Sequence, residues 1–164
     1  MKKLQPSEEG AVFDPKFACL VCGAAEGETE LNAFDNALLE AGIGDINLVK
    51  VSSIMPPNVK VVEKLNPLPK GAFLPVVYAA VSSSNPGAII SAAVGFGRCQ
   101  DGFGVIMEDG GVGKSEEEVR KEVERKIEFA LARRGLRPDE VRIVSVSWQV
   151  KKCASVVAAC IFFE

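Results

Sequence analysis

Apolar positions in this chain fall into short dense runs punctuated by glycine, proline and charge, and their spacing predicts about seven strands and two helices. Residues 17–24 (FACLVCGA) read as a buried strand, and EGETE follows as a turn. In LNAFDNALLEAG, Leu31, Phe34, Leu38 and Ala41 recur at helical spacing, with Gly42 or Gly44 as the stop. Residues 46–54 (INLVKVSSI) read as the next strand, and Met55 is biased to extended backbone by the proline after it. GAFLPVVYAAVSS is a long strand whose proline suggests a bulge or an edge. GAIISAAVGFG and GFGVIMED supply two more strands, and VRIVSVSWQV and CASVVAACIFF flank a Lys151-Lys152 turn. Ser115 to Arg134 is the clearest helix. Ser115 and Glu118 form a capping box, Val119, Val123, Ile127, Ala130 and Leu131 make the apolar stripe, and Gly135 and Pro138 end it. Residues 1–15 are polar and read as a loosely held arm. Strands following strands predict an α+β fold, with the two helices covering stacked sheets in a layered sandwich.

With 164 residues, one domain spanning 1–164 is expected. No run approaches the roughly 18 uninterrupted apolar residues of a membrane span, and the two N-terminal lysines precede no apolar stretch, so a cytoplasmic protein without membrane contact is expected. The net charge of -3 and the lack of a basic tract argue against nucleic acid. The absence of histidine excludes Ser-His-Asp and Cys-His sites within one chain and any zinc site built on histidine. Cys19 and Cys22 form a C-x-x-C, but inside an apolar run, where both read as small buried strand residues.

Several motifs have a plain reading beside a functional one. Gly110-Gly111-Val112-Gly113-Lys114-Ser115 has the context of a phosphate loop, but Glu108 stands where the first glycine is needed, so a flexible turn with an N-cap serine is the better reading. Asp35, beside Leu31, Leu38 and Leu39 on the helix, is a solvated edge residue or an anchor for a cation. Glu108 ends the apolar run GVIM and is an ordinary strand-end charge or a desolvated acid. Asn47, alone, is a turn residue.

Ser52-Ser53, ahead of Pro56-Pro57, offers a different chemistry. The Ser53 hydroxyl lies close in the chain to the Ser52 carbonyl carbon and can attack it if the backbone is strained or well aligned. The resulting ester can undergo β-elimination. This cuts the chain, and the dehydroalanine left at 53 becomes a pyruvoyl ketone on loss of ammonia. No histidine is needed.

From Glu26 to Pro57, the order EGET, NAFD, AGIG, N-L and SSIMPP resembles the pyruvoyl-dependent arginine decarboxylases. The likeness continues more loosely through LPKGAFLPVVYA, PGAIISAAV, GVIMEDGG and the last strands. It implies an αββα sandwich of mostly antiparallel sheets. It also implies a zymogen that self-cleaves into chains 1–52 and 53–164, and a homotrimer with active sites between subunits. The implied reaction converts L-arginine to agmatine and CO2, toward polyamines. The cofactor would be a covalent pyruvoyl group from Ser53 that forms a Schiff base with substrate, with no metal and no pyridoxal phosphate. On that pattern Asn47 assists processing and the reacting centre, Glu108 donates a proton and Asp35 receives the guanidinium. Leu38, Ile46 and Met55 are candidate walls for the substrate methylenes. The segments NVKVVEKLNPLP and FGRCQDGFG have no counterpart in the likeness. Two alternatives stay open: the same chemistry on another amino acid, or an unprocessed, non-catalytic member of the fold.

Overall fold

The structure, a computed structural model, describes residues 13–164; most of the arm expected over residues 1–15 therefore lies outside the described residues. In chain order the elements are β1 (Phe17–Glu26), α1 (Glu30–Glu40), β2 (Asn47–Lys50), β3 (Ile54–Met55), β4 (Lys60–Val61), β5 (Phe73–Ser83), β6 (Ile89–Arg98), β7 (Gly104–Val112), α2 (Glu116–Ala132), β8 (Glu140–Gln149) and β9 (Ala154–Phe163). They form a five-stranded sheet, β2-β5-β9-β1-β4, and a four-stranded sheet, β3-β7-β6-β8. All pairings are antiparallel except β1 with β4 and β2 with β5.

Three apolar layers hold four structural layers together. One lies between α1 and the five-stranded sheet, with Ala37, Ile43, Val76 and Ile161. The second joins the two sheets through Ile90, Phe96, Ile106 and Val156. The third seats α2 on the four-stranded sheet through Val119, Val123, Ile127 and Leu131. This is the expected αββα sandwich. β9 is buried on both faces: Val156, Ala158 and Cys160 meet the other sheet while Val157, Ala159 and Ile161 meet the α1 layer. That is why it reads as an unbroken apolar run.

The capping box of α2 is present, with the Glu118 N–H on the Ser115 hydroxyl at 3.1 Å and the Glu118 carboxylate on the Ser115 N–H at 2.6 Å. α1 is capped by Thr29 and ends at Gly42, whose φ of 80° lets its N–H reach the Leu39 carbonyl and the Ile43 N–H reach that of Leu38. The expected apolar stripe of α1 holds at Leu38 and Ala41 but needs correction at its start, because Leu31 is 76% exposed and the helix buries Ala33 and Ala37, which lie outside the stripe. Small residues are required there, since a Cβ on Gly23 of β1 would sit 2.3 Å from the Ala37 carbonyl oxygen and 2.8 Å from the Ala41 nitrogen. Gly23→Ala is expected to cost about 1–3 kcal/mol, read as a lower urea midpoint at unchanged slope.

Three further expectations are revised. Pro75 needs no bulge and is not on an outer strand: β5 runs between β2 and β9, but its pairing with β9 begins only at Val76. Gly110 and Gly111 are strand residues of β7 rather than part of a flexible turn, and Lys114 folds back onto Asp109 at 2.9 Å. The strand expected over 46–54 is two strands in different sheets. β2 stops at Lys50, β3 starts at Ile54, and Val51, Ser52 and Ser53 carry the chain from one sheet to the other.

Candidate active site

The two serines stand at that crossing. On one side of them, the Val51 N–H donates to the Val76 carbonyl of β5 at 3.1 Å. On the other, the Ser53 carbonyl accepts from the Ile106 N–H of β7 at 2.8 Å, and Ile54 and Met55 then pair with Val105 and Gly104. The Ser52–Ser53 peptide is thus strung between two sheets and tied to each. Met55, wholly buried in the inter-sheet layer, anchors the far side. No described non-glycine residue has a positive φ, so the pair is held by alignment rather than by a left-handed backbone. Ser52 is exposed and Ser53 half-buried.

Glu108 lies two residues along β7 from Ile106 and so points to the same face, between the sheets. Burial pushes its carboxyl above the ordinary range, and this outweighs the lowering by Lys50 and Lys126. Lys50 of β2 brings its ammonium to 3.8 Å from Oε1 of Glu108 and to 4.8 Å from the centre of the Tyr78 ring. Lys126 of α2 grips the backbone beneath, donating to the Glu108 carbonyl and to Asp109 Oδ1, both at 2.8 Å. Ser53 and Glu108, far apart in sequence, are therefore brought to one end of the sandwich.

The other expected site residues are placed differently. Asp35 is exposed on α1 and has no ion pair among the described residues. Its neighbour Phe34 lies 6.3 Å, centre to centre, from Tyr78, which links α1 to the Lys50 side of the cleft. Leu38 is buried in the helix–sheet layer. Ile46 lines an open pocket of about 310 Å³ with Leu39, Leu65 and Leu68. Asn47 sits at the far end of β2, about 10 Å of strand from Lys50. Its side chain donates to the Gly71 carbonyl at 3.1 Å and its N–H to that of Ala72 at 2.7 Å, so one chain uses it as a turn residue and does not bring it to Ser53.

Cys19 and Cys22 are strand residues on opposite faces of β1, in different apolar layers, and cannot act as a redox pair. No group of three or more Cys, Asp or Glu side chains that could hold a metal occurs among the described residues, and no described helix is long and apolar enough to cross a membrane. The two unmatched segments touch each other. Arg98, at the start of the 98–103 loop, donates to the Val59 carbonyl at 2.8 Å and so braces the turn after Pro56-Pro57.

Sequence reasoning missed Lys50, Lys126 and Tyr78, because nothing local marks a lysine that will face a carboxylate from another strand. It also assigned no part to Glu26, the first residue of EGET. Its carboxylate accepts from the N–H groups of Lys151 and Lys152 at 3.1 and 2.8 Å and from the Trp148 indole at 2.9 Å, fastening the β8–β9 turn to the end of β1.

The family of pyruvoyl-dependent arginine decarboxylases matches residues 17–164. A protein of that name from Methanothermobacter thermautotrophicus is 41% identical over 145 residues, covering 88% of this chain and 95% of its own. The Pyrococcus furiosus protein of the same name is 43% identical over 152 residues, covering 91% and 96%. That of Methanocaldococcus jannaschii is 42% identical over 149 residues, covering 88% and 89%. The match takes in every strand and helix described above, and both chains align over nearly their whole length, so this chain belongs to the pyruvoyl-dependent arginine decarboxylase family.

Proposed function

We propose that this chain cuts itself between Ser52 and Ser53 and that the product decarboxylates L-arginine to agmatine and CO2. The observation that carries this is the Ser52–Ser53 peptide held between two sheets, beside a desolvated carboxyl on the strand that tethers Ser53. The Ser53 hydroxyl adds to the Ser52 carbonyl carbon and the C–N bond breaks, leaving an ester. Loss of the residue-53 α-proton then breaks the Cβ–O bond. Chain 1–52 leaves with a Ser52 carboxylate, and residue 53 becomes a dehydroalanine. This tautomerises to an imine, water adds and ammonia departs, so residue 53 becomes the pyruvoyl cap of chain 53–164. Position 53 fits the group: its own carbonyl is not consumed, and the Ile106 N–H that holds it fixes the orientation of the conjugated amide.

The pyruvoyl group supplies an electron sink from the chain itself, the part that pyridoxal phosphate plays elsewhere. The protein's work is positioning. Glu108, kept protonated to higher pH than an ordinary glutamate, delivers the proton to the carbon that has lost CO2. Asp35 receives the guanidinium and Ile46, which lines an open pocket, flanks the methylenes, whereas Leu38 and Met55 are buried in the helix–sheet and inter-sheet layers and would back the site from behind. The site is completed in a homotrimer, where Asn47 of one subunit meets Ser53 of the next. Supporting self-association, Phe73 is 74% exposed, and Val49, Val51 and Ile54 beside the crossing are exposed as well. Val49 and Phe73 lie on the sheet face opposite α1, an apolar surface open to a second copy.

Amine and CO2 formation measured across a panel of amino acids tests the reading. Agmatine from arginine alone is expected. A self-cleaved protein that turned over another amino acid and left arginine untouched would refute the substrate assignment. Asp35→Asn is expected to raise KM for arginine roughly ten- to a hundred-fold with little change in kcat, reflecting a charge-assisted hydrogen bond of about 1.5–3 kcal/mol.

A further inference from the structure

Among the described residues, two cations stand against Glu108, and they are not equivalent. Lys126 on α2 is already engaged, with Asp109 at 2.8 Å and the Glu108 backbone carbonyl at 2.8 Å, while Asp109 also holds Lys114 at 2.9 Å. The Asp109 side chain, only 11% exposed, points to the α2 side of β7, away from the cleft. The Glu108 side chain is left with Lys50, 3.8 Å away. Lys50 is in turn seated over the Tyr78 ring at 4.8 Å, a cation–π contact that steers this half-exposed side chain toward the cleft. It is the last residue of β2, two before Ser52. Lys50 therefore falls on the small chain, whereas Glu108, Lys126 and Tyr78 fall on the large one.

We infer that Lys50 is a positioning residue for Glu108, an ammonium presented across the cut by the small chain that holds the proton donor's carboxyl at the cleft and sets its charge state. This rests on the reading of Glu108 as proton donor. Cleavage adds a second part to the role. The new Ser52 carboxylate appears two residues from Lys50 and offers it a competing anion, so Glu108 gains a like-charged neighbour and loses hold of its cation in the same event. Both changes favour the protonated, proton-giving form of Glu108 once the cofactor has been made.

The test titrates the Glu108 carboxyl by carbon NMR in the uncut Ser53→Ala chain and in the cut wild-type protein, each with and without Lys50→Met. Removing Lys50 from the uncut chain is expected to raise the Glu108 midpoint by about half a pH unit, a partly exposed pair being worth about 0.2–1 kcal/mol. Lys50→Arg should leave it in place. The cut wild-type protein should titrate above the uncut chain. In arginine turnover, where the Ser52 carboxylate shares Lys50, Lys50→Met should move the alkaline limb of the kcat profile upward by a smaller amount, a shift that a purely structural role would not produce. An unchanged midpoint in the uncut Lys50→Met chain overturns the inference, whether or not that variant self-cleaves when Ser53 is present. Failure of the wild-type protein to consume arginine would instead refute the activity and leave the NMR result standing on its own.

Discussion

Ser53→Ala is expected to yield one chain of 17.5 kDa and no detectable agmatine, whereas the wild-type protein should run under denaturing conditions as two species of roughly 5.5 and 12 kDa by length proportion. On the proposed mechanism the effect is all-or-none, because one hydroxyl would have two roles: the nucleophile that breaks the peptide, on a residue that then becomes the cofactor. The fold should tolerate the change. Ser53 contributes to the sandwich through its backbone carbonyl, bound by Ile106, and alanine keeps that bond. A folded, uncut, inactive variant with wild-type thermal behaviour is the expected result, and the large wild-type chain should react with a carbonyl reagent where the variant does not. Arginine turnover by Ser53→Ala protein would refute the whole pyruvoyl reading.

Glu108→Gln is expected to lower kcat by about 10²–10⁴, the usual worth of a positioned general acid, with KM for arginine little changed. The amide keeps the size of the side chain and removes the proton. The sign of the pH dependence follows from the surroundings. Desolvation raises the Glu108 pKa, and Lys50 and Lys126 only partly offset it. The acid form thus persists to higher pH than in an exposed glutamate, and activity in wild-type protein should fall as pH rises through that raised value. The variant should lack this limb and show a flat, low profile over the same range. A full-rate Glu108→Gln enzyme would remove Glu108 from the chemistry. Because the variant retains Ser53, mass analysis of the same sample separates a decarboxylation defect from a processing defect.

Much of this was legible in the residues. The capping box at Ser115, the α2 stripe and the doubly buried run of β9 each carry their own local signal, and each stands where it was expected. The serine pair was legible through its chemistry and its place in a longer resemblance. The break at Val51–Ser53 was not. INLVKVSSI is a β-branched-rich run with no glycine or proline inside it, and such a run reads as one strand without saying which sheet supplies the partner. α1 was misread because large apolar residues dominate a helical pattern count, whereas Gly23 needs alanines against it. The Lys50–Glu108 pair depends on two strands from different sheets meeting at an edge, which no local window encodes.

The crossing at Ser52–Ser53 also changes what it means for this protein to unfold. β1, α1 and β2 lie before it, yet β1 is an inner strand of the five-stranded sheet, flanked by β9 and β4, and β2 pairs with β5. A cut at the crossing therefore leaves the small chain woven into a sheet whose other strands all belong to the large chain. An uncut protomer would recover its own fold by an intramolecular search. A cut one must find its other half, so its recovery after melting is a second-order association and its apparent midpoint rises with protein concentration. Self-processing would thus turn a chain that carries all its strands into an assembly that is held by its kinetics once made and is hard to remake.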